Sequence, residues 1–126
     1  MKLRSLQQWL DWLETLHPSE IELGLGRVSA VAKRLNIQSL DCPVITVAGT
    51  NGKGSTVAAL SSFIAAHGKS VGVYSSPHLL RFNEHVCINL LQVSDDQLCE
   101  AFDAIEENRE HITLTYFEYT TLAALY

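Results

Sequence analysis

Leu3, Leu6, Trp9, Leu10, Leu13 and Leu16 recur at the three- and four-residue spacing of a helix with one apolar face, and Pro18 sets its end. Leu23-Gly24-Leu25-Gly26 interrupts that pattern as a flexible apolar connector. Val28, Val31, Ala32 and Leu35 resume it in a second helix that runs out near Asn36. Residues 44–48, Val-Ile-Thr-Val-Ala, are a short apolar, β-branched run after Pro43, as expected of a buried strand feeding a turn at Gly49. From Ser55 to His67 the chain is rich in Ala, Leu, Ile and Phe, and Gly68 closes this stretch as a helix C-cap. Residues 71–75 form a second apolar run. Strand, helix and strand in that order predict a βαβ unit with parallel strands and a right-handed crossover.

The rest of the pattern is less regular. Residues 77–84 read as a loop, and residues 85–90 alternate apolar and polar, as an edge strand or hairpin arm does. Ser94 with Gln97 is a capping box that opens a helix from Asp95 to about Glu110, and Thr115 with Glu118 is a second one opening the final helix. The fold class expected is therefore α/β: a P-loop-bearing parallel sheet flanked by helices, with ligands at the carboxyl ends of the strands ending near Ala48 and Ser75. The run from Thr120 to Tyr126 stops without Gly, Asn, Pro or a basic last turn, so the chain reads as a fragment and its sheet as truncated.

Composition narrows the function classes. The 126 residues, 47% apolar and 18% charged, suit a packed domain or a piece of one. A net charge of −5 argues against general nucleic-acid binding, which needs clustered Lys and Arg, but leaves room for a small-molecule phosphate site built from local dipoles and one or two cations. Cys42, Cys87 and Cys99 are odd in number and have no metal-binding spacing, which fits reduced thiols in a reducing compartment. With no signal core and no apolar run approaching the roughly 20 residues of a membrane span, a cytoplasmic protein without membrane contact is expected.

The chemistry concentrates in Gly49-Thr50-Asn51-Gly52-Lys53-Gly54-Ser55, between an expected strand and a helix. Glycines let main-chain N–H groups turn toward phosphate oxygens, the helix N-terminus adds its dipole, and Lys53 adds a mobile positive charge. The general Walker pattern would place Gly at position 47 and Ser or Thr at position 54, where this chain has Val47 and Gly54. A plain glycine-rich turn with an exposed lysine is the competing reading.

The stretch VAGTNGKGS resembles the phosphate loop of the folylpolyglutamate synthase/dihydrofolate synthase branch of the Mur-ligase family, in which a glycine follows the lysine. Leu23-Gly24-Leu25-Gly26-Arg27-Val28 resembles that family's early loop. Tyr74-Ser75-Ser76-Pro77-His78-Leu79, with Arg81 and Glu84 after it, resembles its SSPHL segment. Leu114-Thr115-Tyr116-Phe117-Glu118-Tyr119-Thr120 resembles its LTYFEY segment.

The resemblance implies the first part of a Mur-ligase-like ATP-binding domain, covering residues 1–126, with the C-terminal ligase domain outside the chain. It further implies an ATP- and Mg2+-dependent ligase that joins L-glutamate to dihydropteroate or tetrahydrofolate through an acyl phosphate, monomeric as the full-length parent. By the same resemblance Thr50, Asn51, Gly52, Lys53, Gly54 and Ser55 would hold ATP, Lys53 would neutralise the transferring phosphoryl group, and Ser76 would ligate the metal. Leu23, Gly24, Leu25 and Gly26, with Thr115, Tyr116, Phe117 and Glu118, would contact the pterin. Local readings compete at several of these: an ordinary turn at Ser75-Ser76-Pro77, a helix connector at 23–26, and the helix cap at Thr115 and Glu118. His78 and His85 read as loop polar groups, Arg81 and Glu84 as contacts of a mobile loop, and Trp9 as core. A small-molecule P-loop kinase or NTPase is an alternative, against which Gly54 argues; so is a non-catalytic nucleotide-binding remnant.

Overall fold

The computed structural model describes residues 5–16 and 24–126, which form two compact units. One comprises the chain up to Leu40 together with Asp95–Tyr126; the other is Asp41–Ser94.

The first unit is helical. Helix α1 (Leu6–Glu14) is opened by Ser5, whose hydroxyl accepts from the Gln8 amide while the Gln8 side chain accepts from the Ser5 amide. This reciprocal cap satisfies two N–H groups that a helix start otherwise leaves bare. Leu6, Trp9 and Leu13 bury one face of α1, and Trp9 packs against Phe102 of α4 (Asp95–Arg109) with ring centroids 5.5 Å apart. Helix α2 (Gly26–Arg34) buries Val31 and Ala32. Beyond it Asn36 takes a left-handed conformation (φ 58°), and the Ile37 amide reaches back to the Ala32 carbonyl. Helix α5 (Tyr116–Leu125) supplies Tyr119, Leu122 and Ala123 to the same core, beside Leu98, Ala101 and Ile105 of α4. Arg34 donates to the carbonyls of Asn108 and Arg109, placing a cation at the C-terminus of α4 where the helix dipole favours it. Under α5, the Tyr119 hydroxyl donates to Glu106, and Arg109 grips both oxygens of the same carboxylate. Burial and the Glu106 carboxylate push the Tyr119 phenol well up, so it acts as a donor throughout the neutral range.

The second unit holds helix α3 (Lys53–Ala66) and a three-stranded sheet of β1 (Gly72–Tyr74), β2 (Val86–Ile88) and β3 (Leu91–Gln92). The end of α3 is closed as the sequence predicts: Gly68 sits at φ 72°, its amide bonds to Ala65 and the Lys69 amide to Ile64. A single turn of 3-10 helix (Phe82–His85) precedes β2.

The sheet corrects the expected parallel βαβ unit. Both of its pairings are antiparallel, Val73 opposite Cys87 and Cys87 opposite Gln92, so the architecture described is mixed α/β with no parallel P-loop sheet. Residues 44–48 have no strand partner among the described residues, and Val44 and Ile45 are 66% and 62% exposed. A strand is held by its neighbours' hydrogen bonds and by cover on its faces, and this run has neither. Apolar, β-branched character marks capacity for a strand; it does not say which strand pairs with it.

Residues 85–90 do form a hairpin arm, but β2 lies between β1 and β3 and is not an edge. The hairpin turns through Asn89 and Leu90, both at positive φ (51° and 69°), the geometry of a two-residue turn whose twist matches the strands. Asparagine tolerates this conformation; leucine is strained there, and Leu90 is half exposed. Leu90→Gly should therefore raise stability by about 1 kcal/mol, seen as a higher urea midpoint at unchanged slope.

Candidate functional site

The candidate residues divide between the two units. In the second unit, Gly49 to Gly52 form an exposed loop leading directly into α3. Gly52 is the N-cap at φ 75°, ψ 6°, a left-handed conformation that a Cβ would strain. Lys53, Gly54 and Ser55 make the first helical turn, which contains no acidic residue. The Thr56 amide is the first to be bonded, to the Gly52 carbonyl at 3.0 Å, and the Thr56 hydroxyl bonds the same carbonyl at 2.8 Å. Among the described residues nothing accepts from the amides of Thr50 to Ser55. The Lys53 ammonium folds back and donates to the Gly49 carbonyl, so the cation lies over the loop. Six main-chain donors, a helix dipole and one ammonium group thus share a short exposed segment, a fit for the oxygens of a polyphosphate.

Ser76 follows β1 and is exposed. Among the described residues no group of three or more His, Cys, Asp or Glu side chains could hold a metal ion. What Ser76 offers is one hard oxygen. That suits Mg2+ or Mn2+ arriving with nucleotide phosphates, because such ions keep waters and phosphate oxygens as most of their ligands.

Three residues beyond Ser76 the loop is gathered onto Glu84. One Glu84 oxygen accepts from the Leu79 amide at 2.9 Å; the other accepts from the Leu80 and Arg81 amides at 2.9 and 2.7 Å. These bonds, led by that from Leu79, lower the Glu84 pKa from 4.5 to about 2. A carboxylate depressed in the folded state adds stability above its unfolded pKa and loses it as pH falls toward the folded value. The clasp on residues 79–81 should therefore persist from neutral pH to about 4.5 and open between there and about 2. Amide exchange at Leu79, Leu80 and Arg81 followed down the pH scale would show it, and Glu84→Gln should show the open rates already at pH 7.

His85 departs from its reading as a loop polar group. It is buried, and its ring meets those of Phe82 and His78 at centroid distances of 4.9 and 4.8 Å, the three rings forming a cluster.

In the first unit, Gly24 and Leu25 form a bend before α2, Gly26 is its first residue, and Leu23 lies outside the described residues. Leu25 is 77% exposed. Thr115 is the N-cap of α5, its hydroxyl accepting from the Glu118 amide at 3.2 Å. Tyr116 is half-buried, and Phe117 is 62% exposed. Only half of the expected capping box forms. The Glu118 carboxylate turns instead to Arg27, whose guanidinium donates to its Oε1 at 2.9 Å and to the Thr113 carbonyl at 2.9 Å. An arginine within reach is the stronger partner, since a charge-assisted bond outweighs one to a neutral amide.

Arg27 thereby ties the bend at 24–26 to the start of α5, two stretches nearly ninety residues apart in the chain. The other oxygen of Glu118 is buried and has no hydrogen-bond partner among the described residues. A buried carboxylate oxygen left open in this way is an acceptor available to a ligand's N–H groups. Sequence reasoning missed Arg27 because its partners are set by helix packing, although it directly follows the predicted stretch.

Comparison with known proteins agrees with these motifs. No family model matches the chain. It is 50% identical over 121 residues to the dihydrofolate synthase/folylpolyglutamate synthase of Escherichia coli K12, covering 96% of this chain and 29% of that protein. A solved structure of E. coli FolC in complex with DHPP and ADP superposes with a TM-score of 0.91 at 49% identity, over 97% of this chain and 30% of that one. A further structure of a bifunctional folylpolyglutamate synthase/dihydrofolate synthase, with Mn, AMPPNP and L-glutamate bound, gives 0.91 at 48% identity, over 97% and 29%. The chain thus spans about three-tenths of the proteins it matches, and within that span its sequence and fold belong with the bacterial dihydrofolate synthase/folylpolyglutamate synthases.

Proposed function

We propose that the chain supplies the phosphate-binding part of an ATP- and Mg2+-dependent, cytoplasmic ligase that adds L-glutamate to dihydropteroate or to tetrahydrofolate. The observation that carries this reading is the loop at 49–55, whose open amides and overlying ammonium suit a triphosphate and whose sequence resembles the phosphate loop of that ligase family. In such a reaction ATP phosphorylates the pterin-bearing carboxylate and the glutamate amine displaces phosphate from the acyl phosphate. The residues in hand serve the first half of that sequence.

Thr50, Asn51, Gly52, Gly54 and Ser55 would present amides to the nucleotide's phosphate oxygens. Lys53 would leave the Gly49 carbonyl for the transferring phosphoryl group, where a preorganised charge lowers the barrier most. Ser76 would give one oxygen to the metal, which when bound neutralises phosphate charge. Gly24, Leu25 and Gly26 would let main chain approach a flat ring, and Tyr116 and Phe117 offer faces for stacking. Glu118, held by Arg27 through one oxygen, would accept from the pterin's amino group with the other. Leu23 belongs to the same proposed contact by the sequence resemblance.

Titration of the chain with dihydropteroate, followed by pterin fluorescence with and without a non-hydrolysable ATP analogue and Mg2+, tests the assignment. Saturable binding that Glu118→Gln weakens is expected. A pterin affinity indifferent to Glu118 would contradict the pterin assignment.

A further inference from the structure

The histidine pair beside Ser76, His85 buried and His78 exposed, has no place in the function above, yet its hydrogen bonds run straight into the peptide that carries Ser76. The Nδ1 of His85 lies 2.7 Å from the Ser75 carbonyl oxygen, which can only accept, so Nδ1 carries the proton. In the neutral ring Nε2 is then an acceptor, and the His78 Nδ1, 2.7 Å away, donates to it. The main chain closes the same junction: the Ser75 amide donates to the His85 carbonyl at 2.9 Å, continuing the ladder of β1 and β2 by one pair. The Ser75 carbonyl and the Ser76 amide belong to one planar peptide unit, so fixing that carbonyl fixes the plane from which Ser76 departs. Phe82 and the two imidazoles meet edge to face or tilted around the contact, and Glu84 holds the amides of residues 79–81 independently.

We infer that His85, with His78 hydrogen-bonded to it, is a positioning residue that fixes the backbone from which the Ser76 hydroxyl reaches toward the metal. This rests on the reading of Ser76 as a metal ligand. The pair acts through hydrogen-bond geometry and needs no change of protonation. A clamped peptide plane fixes where the Ser76 backbone starts and so narrows the positions its Cβ can take, leaving only the χ1 rotamer for the metal to select.

Two measurements decide it. The first is nitrogen-15 NMR of the imidazoles in the wild-type chain at neutral pH. Both rings should carry the proton on Nδ1, the less common form of a free histidine in water. A His85 ring protonated on Nε2 alone, with bare Nδ1, would overturn the proposal without touching the reading of Ser76.

The second is Mn2+ affinity in the presence of a non-hydrolysable ATP analogue, read by water-proton relaxation. Ser76→Ala should weaken Mn2+ about tenfold, and His85→Phe, which keeps a ring but loses the donor, should do nearly the same. His85→Asn, whose amide can still donate to the Ser75 carbonyl, should recover most of the loss. Analogue affinity without metal should be unchanged in all three. Wild-type Mn2+ affinity in His85→Phe beside a loss in Ser76→Ala overturns the positioning role alone. No loss in Ser76→Ala overturns the metal assignment and the proposal with it.

Discussion

Lys53→Ala should weaken ATP binding by about tenfold to a hundredfold, the equivalent of roughly 1.5–3 kcal/mol for a charge-assisted hydrogen bond. The ammonium lies over the loop on the Gly49 carbonyl, a contact it can exchange for a phosphate oxygen with a small movement. Alanine is a better helix former than lysine, so α3 should keep its first turn and the thermal midpoint should hardly move. Isothermal titration calorimetry on the wild-type and variant chains measures the affinities, and circular dichroism checks the fold. Equal affinities within twofold would leave the ammonium with no part in holding nucleotide. The remaining donors, main-chain amides and the helix dipole, are untouched by this substitution, which is why a residual affinity is expected.

Arg27→Ala should destabilise the helical unit by about 2 kcal/mol, less than the roughly 3–5 kcal/mol of a fully buried pair because both side chains keep some contact with water. Its guanidinium and the Glu118 carboxylate are 22% and 16% exposed. Without arginine, Glu118 keeps a negative charge with one oxygen already unpartnered and the other newly so. Thr113 also loses the bond to its carbonyl. Glu118→Gln by itself should cost less, and the double variant Arg27→Ala/Glu118→Gln should be more stable than Arg27→Ala, because the charge left unpaired is gone. Urea unfolding of the four chains gives this coupling directly. A stability within about 0.5 kcal/mol of wild type for Arg27→Ala would show that the ion pair does not organise this site.

The helices were legible because their signals are local. Apolar spacing over Leu6, Trp9 and Leu13 located α1, Gly68 marked the end of α3, and the capping hydroxyl of Thr115 marked the start of α5. The loop at 49–55 was legible for the same reason, since its glycines, lysine and helix start are contiguous.

What stayed hidden depends on partners remote in the chain. Residues 44–48 have strand composition, but pairing is decided by whichever strand lies alongside, and β1 pairs antiparallel with β2. Glu118 stands three residues after Thr115, which suggested a capping box; Arg27, 91 residues away, takes the carboxylate. Glu84 stood in what read as a loop, and three successive amides converge on it. Nothing in the spacing of His78 and His85 announced their contact, because the intervening turn of 3-10 helix brings them together.

The most direct test of the central claim is an amide proton–nitrogen NMR titration of the chain with a non-hydrolysable ATP analogue and Mg2+. If the turn into α3 grasps the phosphates, the amides of Thr50 to Ser55 shift together, saturably and farthest of all. Shifts that leave these six amides in place, or are confined to the other unit, would contradict it.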